Sequence, residues 1–540
     1  MNEVVLLGAE AIAQGAIDGG MSGVYAYPGT PSTEITEYIQ RNSGARKEGI
    51  HSEWSANEKT AMESAIGMSY AGKRAMVCMK HVGLNVAADP FINSAITGAG
   101  GGLIVVVADD PSMHSSQNEQ DSRFYGDFAL LPILEPADQQ EAYDMAYNGF
   151  SLSEKVGLPV LMRITTRLSH SRSRVLRMKN IAENELKLPD DKKKFILLPS
   201  IARERYKLLL NLQDDLTELS ENAAYNTLKD GNDRSLGIIA CGISHNYLME
   251  NYPEGIPHPV LKIGQYPVPV KKIKEITSSC KEILVLEEGY PILEKSLLGL
   301  LNNSPVPIRG RLDGSLPRDG ELNSDLVRKA LGMEVHNGPE IPEIMVNRPP
   351  ALCKGCGHID IYHSLIEALT DFGEGRTFAD IGCYTLGALP PYNAINTCVD
   401  MGASITMAKG AADAGLVPSV AVIGDSTFTH SGMTGLLDAV IENSPITIII
   451  SDNETTGMTG GQVSSAVGRI EGICLGIGVE ESHLKIVTPL KKNHDENVQV
   501  ILNELNYHGI SVIIARRECI QTASKRKRIE VETKSLSTKS

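Results

Sequence analysis

The run VAVIGDSTFTHSGMTGLLDAVIENSPITIIISDN, residues 420–453, constrains this chain more than any other stretch. Val420-Ile423 is a short apolar run that stops at Gly424-Asp425, the pattern of a buried strand ending in a turn. Thr434 to Glu442 has helical periodicity, and Ile446-Ile450 is a second β-branched run that ends in Asp452-Asn453. A strand–helix–strand unit of this length makes the two strands parallel neighbours joined by a right-handed crossover. Asp425 and Asn453 then emerge at the carboxyl ends of strands, where open α/β sheets bind ligands. One carboxylate, one amide oxygen and a backbone carbonyl from the next turn, at Thr455, suit Mg²⁺, which takes phosphate oxygens as further ligands. Gly424, Ser426 and the glycines after Asn453 would let backbone approach a diphosphate. An ordinary αβ unit with polar strand ends reads the same way, so other segments must decide.

The chain has 540 residues, enough for several domains, and its 50 glycines with few aromatics suit α/β units with many strand-to-helix turns. A net charge of -15 argues against nucleic acid or an anionic membrane as default partners. The opening MNEVVLLGAEAIAQGAI has neither the basic region nor the apolar core of a signal peptide, and no apolar stretch reaches transmembrane length. The expectation is a cytoplasmic protein. Its nine cysteines then read as free, catalytic or metal-bound thiols rather than a disulfide framework.

Near the amino terminus, Tyr27-Pro28-Gly29-Thr30-Pro31-Ser32 turns sharply into a helix, with Ser32 as the expected cap. Hydroxyls at a helix start favour an anion such as a carboxylate. His51-Ser-Glu-Trp-Ser-Ala-Asn-Glu58 leads into a helix of small and apolar residues, which places Glu58 immediately at its start. Leu103-Ala108 is a buried strand, and the polar run Ser115 to Arg123 after it reads as a long loop or a short capped helix, a candidate wall of an active site. There the planar fork of Arg123 could hold a carboxylate or a coenzyme phosphate.

Lys179-Pro199 is a charged linker, and Ala202 to Asn226 reads as one or two helices. Leu236-Ala240, Val260-Ile263 and Ile283-Leu286 define a smaller α/β domain, after which Pro339-Pro350 runs extended. Cys353-Lys-Gly-Cys356-Gly-His358 opens the last domain. By itself the pair fits a redox dithiol, half a zinc site or half an iron–sulfur site. His358 would contact a diphosphate or cap the next helix, and two further thiols, Cys383 and Cys519, each follow a strand-like segment.

Gly424-Asp425-Ser426 followed by Asp452-Asn453 resembles the thiamine-diphosphate motif usually written Gly-Asp-Gly…Asn-Asn. With Tyr-Pro-x-Thr-Pro-Ser, KHVGLN and DDPSMHSSQNEQDSRFYG, the chain resembles the 2-oxoacid:ferredoxin oxidoreductases, and within them the large subunits of the indolepyruvate branch. The resemblance implies an α/β, multidomain thiamine-diphosphate-binding fold. It divides into a pyrimidine-binding domain at 1–178, a linker and helical segment at 179–234, and a transketolase C-terminal-like domain at 235–345. A diphosphate-binding domain follows at 346–519, then a disordered polar tail at 520–540.

The resemblance further implies that Thr30 lies near the carboxylate of the 2-oxoacid, that Glu58 (with Glu53 second) serves N1′ of the aminopyrimidine, and that the pyrimidine stacks on Met401. It implies one [4Fe-4S] cluster on Cys353, Cys356, Cys383 and Cys519, with zinc and unligated thiols as the alternatives. Oxidative decarboxylation of aryl 2-oxoacids follows, with coenzyme A as co-substrate, ferredoxin as acceptor, and a smaller β subunit in a dimer of heterodimers. Members of that branch continue into a ferredoxin-like module with two cysteine runs. Ile520 to Ser540 has no cysteine, so distal relays are expected from another subunit or from an external ferredoxin. A non-oxidative thiamine-dependent decarboxylase or lyase, and a non-catalytic subunit of a larger complex, are the alternatives.

Overall fold

Apolar runs of four to seven residues become the central strands of three sheets in the computed structural model, and the helices between them cover both faces. The structure describes residues 3–302, 304–335, 342, 344–346 and 350–537, and the side chains of these up to residue 528. The chain divides into two compact units, residues 1–340 and 341–540.

In the first unit a seven-stranded sheet has the order Gln265–Tyr266, Ile133–Leu134, Val160–Thr165, Leu103–Asp109, Ala75–Lys80, Gly23–Ala26, His51–Trp54. Leu103–Asp109 is buried along its whole length, as expected of a strand covered on both faces. His51–Trp54, read from sequence only as the lead into a helix, is the edge strand, with Glu53 exposed. A second sheet runs Ile308–Arg309, Ile283–Leu286, Gly237–Cys241, Val260–Ile263, Thr227–Lys229. It begins at Thr227 rather than at 235, because Thr227–Lys229 pairs antiparallel with Val260–Ile263. The chain then sends Gln265–Tyr266 across to pair with Ile133–Leu134 of the first sheet. Of the stretch Lys179-Pro199 expected as a linker, residues 179–198 contain no helix or strand, and Pro199 opens the helix Pro199–Asn211.

Arg123 corrects an expectation. It does not line an open site: it is 1% exposed, with its guanidinium 2.6 Å from Asp121 and 3.0 Å from Glu287. It also donates to the carbonyls of Glu288 and Tyr290 at 3.2 and 3.0 Å. Arg163 lies beside it, paired with Asp109 and Glu135, and Tyr266 donates its hydroxyl to Glu135 at 2.6 Å. Charges buried this deeply must be paired, and the partners come from both sheets of this unit. Arg123→Met should therefore leave several buried carboxylates uncompensated and destabilise the fold by about 3–5 kcal/mol. Chemical unfolding of the full chain checks this; an unchanged midpoint would contradict a stabilising role for this buried ion-pair network.

In the second unit six strands run in parallel, in the order Thr397–Cys398, Thr377–Ala379, Ser419–Gly424, Ile446–Asp452, Ser511–Arg516, Leu484–Val487. The helix after Ser419–Gly424 starts earlier than its apolar periodicity suggests. Asp425–Thr427 is already helical, a π turn covers Phe428–Gly432, and Met433–Ile441 continues it. Single π turns within helices often accompany functional sites.

The tail read as disordered is a helix, Ile520–Ser537, as far as the described residues extend. Its start is fixed by the Cys519 N–H on the Asn453 carbonyl (3.1 Å) and the Ala523 N–H on the Cys519 carbonyl (2.9 Å). Lysine, arginine and glutamate are good helix formers once a start is anchored. Much of the Pro339–Pro350 stretch lies outside the described residues. Among the described residues no helix is long and apolar enough to cross a membrane.

Candidate functional site

Gly424 pairs with Ser451 across adjacent parallel strands, so Asp425 and Asn453 leave the sheet at the same edge. Asp425 is 2% exposed; its Oδ1 accepts the Ser426 N–H at 2.8 Å, and its Oδ2 has no hydrogen-bond partner among the described residues. Burial, opposed by that N–H, pushes the carboxyl up to about 7, and nearby Asp452 adds to the rise. A buried carboxylate oxygen without a partner fits a cation ligand, so the residues are suited to Mg²⁺. Asn453 Oδ1 accepts the Thr455 N–H at 3.1 Å and keeps a second lone pair. The Thr455 hydroxyl donates to the Gln462 carbonyl at 3.0 Å, and Ser426 Oγ lies 2.9 Å from Thr456 Oγ1, tying the two turns together.

Gly424 has a reason that sequence reading missed. A Cβ there would sit 2.7 Å from Cε1 of the Tyr384 ring, so the missing side chain makes room for an aromatic as well as for a ligand. Asp380 was also missed. Fully buried, it accepts Ser404 Oγ at 2.6 Å and the Gly402 N–H at 3.2 Å, and it takes the Tyr384 hydroxyl. It thereby holds the turn that carries half-buried Met401. Asp380 and Tyr384 sit four residues apart around Cys383, but only the strand order shows that they meet the Gly402 turn.

Cys353, Cys356, Cys383 and Cys519 all line one cavity of about 640 Å³, together with Asn453, His358 and Gly460-Gly461. Cys519 reaches it because Ser511–Arg516 is the parallel neighbour of Ile446–Asp452, so the two strand ends run on side by side. Burial first, and then the neighbouring thiols, push Cys383 up to about 12; burial also raises Cys356. Thiolates gathered in such a place need a cationic centre. Among the described residues no three His, Cys, Asp or Glu side chains stand close enough to hold a single metal ion. His358 is buried, which pushes its imidazole down to about 4, and its Nδ1 is 3.4 Å from Cys356 Sγ.

In the first unit Glu58 opens the helix Glu58–Tyr70 and is 4% exposed. Asn57 caps that helix, accepting the Thr60 N–H at 2.9 Å. The carboxyl of Glu58 lies against Gly83, where an added Cβ would meet Oε1 at 2.6 Å. Exposed Glu53 has no such pocket. Thr30 is half-buried, and Ser115 Oγ donates to its carbonyl at 3.2 Å. Ser32 does not cap the helix Thr33–Arg41; its hydroxyl donates to the Gly29 carbonyl at 2.7 Å and tightens the turn instead.

Residues 14–207 match the family "Pyruvate flavodoxin/ferredoxin oxidoreductase, thiamine diP-bdg", and residues 380–472 match "Thiamine pyrophosphate enzyme, C-terminal TPP binding domain". With the parallel sheets and the Asp425–Asn453 edge, these define a subunit of a thiamine-diphosphate-dependent oxidoreductase. Among curated proteins, indolepyruvate oxidoreductase subunit IorA of Archaeoglobus fulgidus is 39% identical, over 98% of this chain and 88% of its own length. The Pyrococcus abyssi counterpart is 36% identical, over 96% and 85%. The 2-oxoglutarate synthase subunit KorA of Methanocaldococcus jannaschii is 28% identical over 34% of this chain and 52% of its own length. The chain belongs to the indolepyruvate oxidoreductase IorA family.

Proposed function

We propose that this chain is the large subunit of an enzyme that oxidatively decarboxylates aryl 2-oxoacids, of the indolepyruvate or phenylpyruvate type. A 2-oxoacid and coenzyme A yield CO₂ and an aryl-acetyl-CoA, with two electrons going to ferredoxin, for which a bound [4Fe-4S] cluster would supply one-electron transfer. Bound thiamine diphosphate supplies the electron sink for loss of CO₂. Asp425, Asn453 and the Thr455 carbonyl would hold Mg²⁺ and so the diphosphate, Gly424, Ser426 and His358 would bind beside it, and Met401 would offer the pyrimidine an apolar contact. Glu58 holds the proton at N1′, and Thr30 orients the substrate carboxylate. Cys353, Cys356, Cys383 and Cys519 hold the cluster. A smaller β subunit completes a dimer of heterodimers in the cytoplasm.

The observation that carries this reading is the single cavity that has four thiols and Asn453 on its walls. Anaerobic purification with the small partner subunit, followed by iron, sulfide and thiamine analysis and assay against indolepyruvate, phenylpyruvate, pyruvate and 2-oxoglutarate, tests it. Thiamine-dependent aldehyde release without iron would favour the non-oxidative alternative. Glu58→Gln should retain the cofactor yet slow hydrogen exchange at thiazolium C2 by on the order of 10² or more, the scale of positioned proton transfer. Exchange at the parent rate, followed by NMR, would move that role elsewhere.

A further inference from the structure

The burial of Arg123 removes the cation that sequence offered for an anionic substrate, and the same part of the first unit presents another. Lys80 ends the strand Ala75–Lys80 and precedes the helix His81–Val86, whose Gly83 receives the Glu58 carboxyl. The Lys80 stem runs over the Pro28–Thr30 turn: a methyl built on Gly29 would lie 3.2 Å from Lys80 Cγ. Its ammonium donates to the Ser115 carbonyl at 2.9 Å, and Ser115 Oγ in turn reaches the Thr30 carbonyl. Lys80, Ser115 and Thr30 are thus one connected surface.

Among the described residues no carboxylate lies within ion-pair distance of the Lys80 ammonium. Asp110 and, more weakly, Glu58 are near enough to influence it, but neither pairs with it, and the oxygens of Asp110 are occupied by the Ser115 N–H (2.7 Å), Ser116 Oγ (2.7 Å) and Thr166 Oγ1 (2.6 Å). An ammonium has three donors, and one carbonyl is a poor return for half-burying it. Burial accordingly pushes Lys80 below the usual lysine range. A purely structural role would need only the Ser115 contact, which a neutral donor makes equally well.

We propose that Lys80 is the positioning residue for the substrate carboxylate, its ammonium holding the anion at the turn that carries Thr30. The assignment rests on the 2-oxoacid reading above and names the cation that reading lacks. The same ammonium would also suit a coenzyme A phosphate, so the test separates the two anions.

In the complex of this chain with its small partner, Lys80→Met should raise the KM for phenylpyruvate by about 10- to 100-fold, the worth of a charge-assisted hydrogen bond. The KM for coenzyme A, kcat at saturating phenylpyruvate and retained thiamine diphosphate should stay at parent values. Lys80→Arg, which keeps the charge, should recover most of the loss. An unchanged phenylpyruvate KM, a rise in the coenzyme A KM instead, or no recovery with arginine would overturn the assignment. Thiamine retention and 2-oxoacid turnover by the parent complex report separately on the proposed function, so the two failures are distinguishable.

Discussion

Asp425→Ala is expected to abolish retention of thiamine diphosphate and Mg²⁺ while leaving the fold intact. The carboxylate sits at the end of a buried strand, with one oxygen fixed by the Ser426 N–H and the other without a partner among the described residues. Substitutions that only support a metal's ligands already weaken affinity about 10–100-fold, so loss of a charged ligand should cost more than about 100-fold. The sign of the stability change is informative. A buried carboxylate with one oxygen unpaired among the described residues disfavours the folded state, so the cofactor-free variant should melt no lower than the cofactor-free parent. Only the parent should gain stability when Mg²⁺ and thiamine diphosphate are added together, because ligands that bind the native state alone stabilise it. Thermal unfolding with and without both ligands measures each quantity. Tight, magnesium-dependent binding by the variant would remove Asp425 from the site.

Cys519→Ser should eliminate the iron–sulfur cluster and with it ferredoxin reduction, while thiamine diphosphate is still retained. Cys519 is the most informative of the four positions, because its backbone N–H bonds the Asn453 carbonyl and serine keeps that contact. A changed thiamine loop therefore does not follow from the substitution. The parent protein, purified anaerobically, should contain about four irons per chain, as four thiolates holding a [4Fe-4S] cluster require. Dithionite reduction should give a low-temperature paramagnetic resonance signal that the variant lacks. Stoichiometric zinc in the parent, or undiminished ferredoxin reduction by Cys519→Ser, would defeat the assignment.

Sequence alone determined what depends on neighbours along the chain. Asp425 and Asn453 could be placed at one sheet edge because a strand–helix–strand unit has a fixed hand and short reach. Glu58 could be put at a helix start, and Cys353 beside Cys356, for the same local reason. Arg123 could not be read this way. A lone arginine in a polar run looks like a ligand-binding group, but besides nearby Asp121 it pairs with Glu287, which follows a strand of another sheet far along the chain. Lys80 is the converse: nothing local singles it out until Gly29, Ser115 and the saturated Asp110 are seen around it.

The crossing of Gln265–Tyr266 into the first sheet, the room that Gly424 leaves for Tyr384, and the helix after Cys519 are likewise tertiary decisions. Periodicity and turn residues report which face of an element is apolar and where it stops. They carry no information about which strand lies next to which, and burial and charge pairing are properties of those neighbours. Tertiary structure therefore decided that the Arg123 cation is sealed in the interior while the Lys80 ammonium is left at the Pro28–Thr30 turn.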